Sequence, residues 1–461
     1  MPTVKTILDD YQRLGWSKGN DPMSQMLQLR RENPEALAEL VAGALERGVK
    51  HGTFIDAALD LMDDASFRQV AAQALQMSHA GIWHETLARV LDAAALQLPE
   101  IFAGDWEHFL DMAFKEPHLY HEVEAWRALD AATIADWRRQ LEELAARGEI
   151  DRKNAAAMIY HARLHQTDVP LEWRKAARRA FALLRCGQPD AVLYGWQWLF
   201  PEQSAESQAA KDDWLMSAGY ALEQGALRAL HSETPFHIDF GAKLRKAMLR
   251  DTPPWKKEIQ NHHPTWQAHG TALMRGQFGG ALSTSACCGS CHQPLHHLLT
   301  LPQPDAVGIA CATPISFATC LSCLGWEGEG GPLFYCHDDA GLPAPHQSQQ
   351  RETALTPQFV AAALEPAEIG LFVAPERWYR QDWGASNDRQ NLSRIGGAPS
   401  WVQSAWYPEC PDCNRRMDFV MQLDSCLPQV DGREWLWGSG GTNYTFWCAN
   451  CRVSAHLWQC T

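Results

Sequence analysis

The sequence predicts an α+β multidomain protein, in which an all-α helical-repeat domain of the HEAT-like solenoid kind precedes a β-rich, internally duplicated, zinc-binding domain. Three observations predict it. Apolar residues recur at helical spacing up to about residue 235. They alternate over short runs beyond about residue 280. The second region also holds four Cys-x-x-Cys pairs that fall into two sets. The expected domains are therefore residues 1–235, a connector over 236–280, and 281–461. A chain of 461 residues has room for two to three cores.

In the helical half, Asn33-Pro34 offers a cap with proline at the first helical position. Leu37, Leu40, Val41, Ala44 and Leu45 then form one apolar face, and Gly48 closes the element. Phe54, Ala58 and Leu61 mark the next helix. Phe67, Val70, Ala71, Ala74 and Leu75 mark a third, closed by Gly81, and 82–98 follows. Further helices are expected over 131–144, 171–185, 190–199 and 205–223. Short amphipathic helices joined by tight turns pack as antiparallel pairs, which is the basis of a stacked solenoid. An irregular bundle is the alternative, because no strict consensus repeat is present.

Pro253-Pro254, His262-His263 and the run RGQFGGALSTSA read as connector. Beyond it, Met417, Phe419, Met421 and Leu423 alternate with Asp418, Val420 and Gln422, which predicts a half-buried strand. Leu295, His297, Leu299 and Leu301 predict another. LFYC (333–336) and YTFWC (444–448) read as further strands, and PQFVAAAL (357–364) as a helix.

The cysteines carry the chemistry. Cys288/Cys291 with Cys320/Cys323 are spaced C-x2-C-x28-C-x2-C, and Cys410/Cys413 with Cys448/Cys451 are spaced C-x2-C-x34-C-x2-C. Two such knuckles complete a tetrahedron of thiolates around Zn²⁺, so two structural zinc ions are expected. Four sulfur ligands leave no position for water, and hence no hydrolytic chemistry. Buried or redox-active thiols are the competing explanation, but a redox pair belongs in a thioredoxin-like βαβ setting that the pattern lacks. Both first knuckles run without a gap into ten residues ending in leucine. Leu295 aligns with Met417, Leu298 with Val420, Leu299 with Met421 and Leu301 with Leu423, which suggests an internal duplication.

SRIGGAPSWVQ (393–403), CPDC (410–413), MDFVMQLDS (417–425), WGSGGTNYTFWC (437–448) and the terminal QCT, with GPLFYCHDDAGLPAPHQ (331–347) upstream, resemble the YwqG-like family of bacterial proteins. The resemblance covers about residues 280–461. It implies a mixed, β-rich, two-fold-repeated fold and a loose association with toxin loci, and it implies no particular activity.

Other groups are candidate ligands or binders. His292 or Cys287 could replace a named cysteine, although residues so placed are more often surface groups, as are His296 and His297. Cys186, Cys311, Cys336, Cys426 and Cys460 read as packed thiols. His231-Ser232-Glu233 before Cys288 only partly resembles a deaminase pattern, since no proline precedes the cysteine pair. Gly438, Gly440 and Gly441 read as a turn rather than an anion cradle. Trp401, Trp406, Trp435, Trp437 and Trp447 read mostly as core, with an aromatic docking surface as the alternative. Arg174, Lys175, Arg178, Arg179 and Arg185 form a basic stripe at near-helical spacing, the best local candidate for an acidic partner.

Charge limits the function classes. The net charge is −15, and no lysine follows Lys257. From residue 271 onward ten arginines face seventeen acids, the wrong sign for a phosphate backbone, so a zinc-ribbon nucleic-acid binder is disfavoured. The start lacks the layout of a secretory signal and no apolar run reaches spanning length, so a cytoplasmic protein with no membrane contact is expected. The expected function is non-enzymatic: a zinc-stabilised protein-binding protein, and specifically an immunity protein that neutralises a toxin. The rival from another class is a metal-dependent enzyme with its site between the two halves.

Overall fold

The computed structural model of the protein describes residues 2–115, 119–148, 170–201, 205–250, 252–282, 285–326, 331–357, 359–386 and 389–461. It is α+β and divides into two compact units, Met1–Leu227 and Arg228–Thr461.

The first unit is helical. Helices include Val4–Leu14, Pro22–Glu32, Ala36–Arg47, Thr53–Leu61, Asp64–His79, Glu85–Gln97, Trp106–Lys115, Ala131–Ala146, Leu171–Arg185, Pro189–Leu199 and Ala205–Ser217. Carboxylate caps start several of them: Asp63 accepts from the Ser66 N–H at 2.9 Å and Asp130 from the Thr133 N–H at 2.8 Å. The predicted face Leu37, Leu40, Val41, Ala44 and Leu45 is wholly buried. It packs against the helices on both sides in sequence, and Gly48 ends the helix in a left-handed conformation. The helix expected to reach residue 223 stops at Ser217, because Gly219 turns to φ 84°. The chain then forms a hairpin, β1 (Tyr220–Glu223) and β2 (Ala226–Ala229). Its two-residue loop, Gln224-Gly225, has positive φ at both positions, as hairpin twist demands.

Four of the five residues of the basic stripe are engaged inside this unit. Arg178 is 2% exposed and bonds Glu122 at 2.6 Å, Arg179 bonds Glu107 at 2.8 Å, and Lys175 bonds Asp111 at 2.7 Å. Arg185 donates to the Ser217 carbonyl. The first three carry their own acids, which reduces the stripe's value as a docking surface. Arg178→Ala is expected to cost about 3–5 kcal/mol, since it strips Glu122 of its cation in a buried setting. A fall in the urea midpoint of the full chain checks it.

The second unit is built on one antiparallel sheet. Its strands are β3 (Pro235–Asp239), β4 (Met274–Phe278), β5 (His296–Leu301), β6 (Ile315–Thr319), β7 (Leu333–His337), β8 (Pro343–Pro345), β9 (Ala367–Val373), β10 (Arg394–Gly396), β11 (Asp418–Asp424), β14 (Thr442–Cys448) and β15 (Val453–Gln459). The order across the sheet is β6-β5-β4-β9-β3-β10-β11-β14-β15-β7-β8. A separate small hairpin joins β12 (Leu427–Pro428) to β13 (Glu434–Trp435). The sheet curls, because the Ser316 N–H on edge strand β6 donates at 2.9 Å to the Gly341 carbonyl just before β8.

Three expectations change here. The stretch 236–280, expected as connector, contributes β3 and β4 to the middle of the sheet. The run 357–364 is not helical over its described residues. Its backbone instead serves distant groups, with the Ala361 N–H donating to Ser322 Oγ and the Ala362 N–H to Gln429 Oε1. The strand over 417–423 is buried on both faces rather than one. Its polar side meets a hydrogen-bonded interior: Gln422, fully buried, accepts from the Ser400 N–H and donates to the Leu392 carbonyl. The guanidinium of Arg394, also fully buried, donates to Gln381 and Ser400.

Candidate metal centres

Each cysteine set is assembled by a knuckle, two antiparallel strands and a second Cys-x-x-Cys. In the first, Cys288 and Cys291 precede β5, and β6 delivers Cys320 and Cys323 at the start of the short helix Leu321–Trp326. The Cys288 N–H donates to the Gln293 carbonyl, the His292 N–H to the Cys288 carbonyl and the Leu295 N–H to the Ala286 carbonyl. In the second, the Cys410 N–H donates to the Arg415 carbonyl, the Asn414 N–H to Cys410 and the Met417 N–H to Pro408. Every one of these bonds recurs at a spacing of 122 residues. So do the positive φ of His292 (57°) and Asn414 (56°), and the register shift between His297/Leu299 and Phe419/Met421.

The sulfurs converge. Cys288 Sγ lies 3.7 Å from Cys323 Sγ and Cys291 Sγ 3.5 Å from Cys320 Sγ, while Cys413 and Cys448 are 3.7 Å apart. All four sulfurs of each set lie within 4.8 Å of one another. A tetrahedron with Zn–S of about 2.3 Å has sulfur–sulfur edges of about 3.8 Å, so the spacing fits a thiophilic cation. It is far too long for a disulfide, at about 2.05 Å, and all fourteen cysteines are free. In the first set the thiols of Cys320 and Cys323 push Cys288 toward its thiolate, and the protons they retain must leave when a cation enters.

The two sets differ in surroundings. All four cysteines of the first are buried and belong to the main core, beside Leu295, Leu299, Phe317 and Tyr335. Tyr335 Oη accepts from the Cys320 N–H at 2.9 Å. In the second, Cys410 and Cys448 are buried but Cys451 is half-buried and Cys413 exposed.

The alternative ligands stand apart. His292 is exposed and its Nε2 faces the Arg351 carbonyl at 3.1 Å, while Cys287 is exposed with its thiol on the Ser285 carbonyl. Buried His296 uses its two nitrogens on the Ala361 carbonyl and the Leu321 N–H. His297 faces the Gly279 carbonyl and Thr300. Neither His231 nor Glu233 joins any converging group among the described residues. The N–H groups of Gly440 and Gly441 are spent on the Trp437 carbonyl, which makes the loop a turn. Trp435, Trp437 and Trp447 are buried, Trp401 is half-buried, and only Trp406 of these five is exposed.

Two features escaped the sequence reading. A third converging group, Cys336, His346 and Asp412, lies beside the second knuckle. It joins residues from three separate segments and so leaves no local spacing signal. The other was visible: Phe278-Gly279-Gly280-Ala281 ends β4 just as Ile395-Gly396-Gly397-Ala398 ends β10, and all four glycines have φ between 62° and 74°.

No helix among the described residues is long and apolar enough to cross a membrane. No family model matches the chain, and no solved structure matches it. A protein of Salmonella typhimurium described as uncharacterized protein YpfL is 27% identical over 179 residues. That segment is 38% of this chain and 39% of the relative, so the chain spans well under half of the curated relative it matches.

Proposed function

We propose that the chain is a non-enzymatic, zinc-stabilised protein-binding protein, acting as an immunity protein that neutralises a basic toxin. The observation that carries it is the closed geometry of the two tetra-thiol groups, which have the spacing of structural zinc and offer no position to substrate or water. The excess of acids supports a basic partner, because long-range attraction sets encounter rates and selects charge sign.

The finer architecture belongs to the same proposal. The helical unit is a HEAT-like solenoid, and its succession of short helices, with packing between sequence neighbours such as Ala36–Arg47 with Thr53–Leu61, Asp64–His79 with Glu85–Gln97 and Leu171–Arg185 with Pro189–Leu199, supports this. The sheet unit is a duplicated YwqG-like domain. In favour stand the hydrogen bonds, bulges and φ values that recur at one spacing, and the two GGA turns. The strand order supports it as well, since β6-β5-β4-β9 mirrors β14-β11-β10-β3 about the β9/β3 pair.

The test is capture with tagged full-length chain, followed by co-expression. A basic protein is expected to co-purify, to dissociate as salt rises, and to arrest growth unless this chain is co-expressed. Recovery of no partner under several salt conditions, or a partner whose toxicity the chain does not relieve, overturns the proposal.

A further inference from the structure

We propose a third cation site, in which Cys336 Sγ, a ring nitrogen of His346 and a carboxylate oxygen of Asp412 bind Zn²⁺ or a similar borderline divalent cation, with water in the fourth position. Cys336 comes from β7, His346 follows β8, and Asp412 sits inside the second knuckle between Cys410 and Cys413. The three ligand atoms lie within 4.8 Å of one another. Tetrahedral zinc with one sulfur and two lighter ligands needs separations of roughly 3.3–3.6 Å, so closure by about an ångström suffices. The Asp412 side chain, 37% exposed, has the freedom to supply it.

The imidazole is held in place beside the other two groups. His346 is 2% exposed, and its Nδ1 faces Ser348 Oγ at 2.7 Å while Nε2 faces Asp412 Oδ1 at 3.0 Å. In the cation-free ring Nδ1 accepts from the Ser348 N–H at 3.1 Å, so Nε2–H donates to Asp412; a cation at Nε2 moves the ring proton to Nδ1, where Ser348 Oγ at 2.7 Å accepts it. That outer hydrogen bond then fixes the tautomer of the cation-bound ring. A thiol–imidazole–carboxylate relay does not fit, because it needs the thiol and the carboxylate on opposite ring nitrogens and Ser348 already holds Nδ1. Thiolate, imidazole and carboxylate together suit Zn²⁺ or Co²⁺ over Mg²⁺ or Ca²⁺. Three protein ligands leave one position open, unlike either tetra-thiol group. The first knuckle has no counterpart, since Ser290 stands where the second has Asp412.

Titration of the purified full chain with Co²⁺, and elemental analysis after Zn²⁺ loading, test it. Wild type is expected to take up one equivalent beyond those held by the tetra-thiol groups, at an affinity that falls at least about tenfold in Cys336→Ser and in Asp412→Asn. Asparagine still offers His346 Nε2–H an oxygen, so a carboxylate that only orients the ring would leave the uptake unchanged. Circular dichroism verifies that each variant is folded. The difference between wild type and Cys336→Ser in the Co²⁺ spectrum should show single-thiolate charge transfer. Equal uptake and affinity in wild type and either variant overturns the site. The comparison stays separate from the tetra-thiol proposal, whose failure would lower the total in all three proteins and leave their difference in place.

Discussion

Cys320→Ser is expected to abolish cooperative folding of the second unit, with loss of one metal equivalent and of its thermal transition. Cys320 is fully buried at the end of β6 and packs in the main core with Leu298, Phe317 and Leu321. Zinc bound by four thiolates contributes on the order of 10 kcal/mol or more to folding in small metal domains. Total stability of a domain is about 5–15 kcal/mol, so the loss is comparable with the whole. Serine restores the volume but not the thiolate, and leaves a hydroxyl among apolar neighbours. Cys413→Ser is expected to behave differently. Cys413 is exposed and its group lies outside the core cluster, so partial loss of metal with a smaller fall in melting temperature should result. Metal content and calorimetry on both variants decide the matter: a Cys320→Ser chain that melts like wild type would remove the structural role of the cation.

What could be read from the sequence was what is encoded locally. The buried face of Ala36–Arg47 follows from a 3.6-residue period, and the paired knuckles follow from spacing alone. Apart from the helix end at Gly219 and the paired Gly-Gly-Ala turns, which are local, the misses share a cause, which is that the deciding partner lies far along the chain. The strands that pair with β3 among the described residues, β9 and β10, lie more than 120 residues away, so nothing near 235–239 announces a central strand. Met417 to Leu423 alternates as a half-buried strand should, yet Gln422 is buried because Ser400 and Leu392 satisfy its amide. Alternation reports polarity, and polarity reports exposure only where no internal partner exists. The run 357–364 has a helical composition, but its backbone donors are taken by Ser322 and Gln429. Cys336 and His346 became meaningful only once β7 and β8 brought them to Asp412.

The same buried polarity should make the second unit sensitive to acid. His237 lies between Arg394 on β10 and Phe372 on β9, and His456 pairs Thr445 across β14. Burial pushes each imidazole down to about 3, aided by the Arg394 and His263 charges for His237 and by His337 for His456. The unfolded chain protonates both near the ordinary value of about 6.5. Between these limits the unfolded state binds protons that the native state refuses, so stability present at neutral pH is lost as pH falls. Each group then contributes on the order of 3 kcal/mol of destabilisation by pH 4. Protonation of the cysteine sulfurs acts in the same direction, so the diagnostic quantity is a difference between two proteins. His456→Asn retains a partner for Thr445 and removes the titrating ring. Below pH 6 its stability should fall with pH less steeply than that of wild type, by about 1.4 kcal/mol per unit, the slope of one proton. The wild-type His456 ring should remain neutral by NMR at pH 5. Identical slopes, or a ring that titrates near 6.5, would show that His456 contributes nothing to the acid sensitivity.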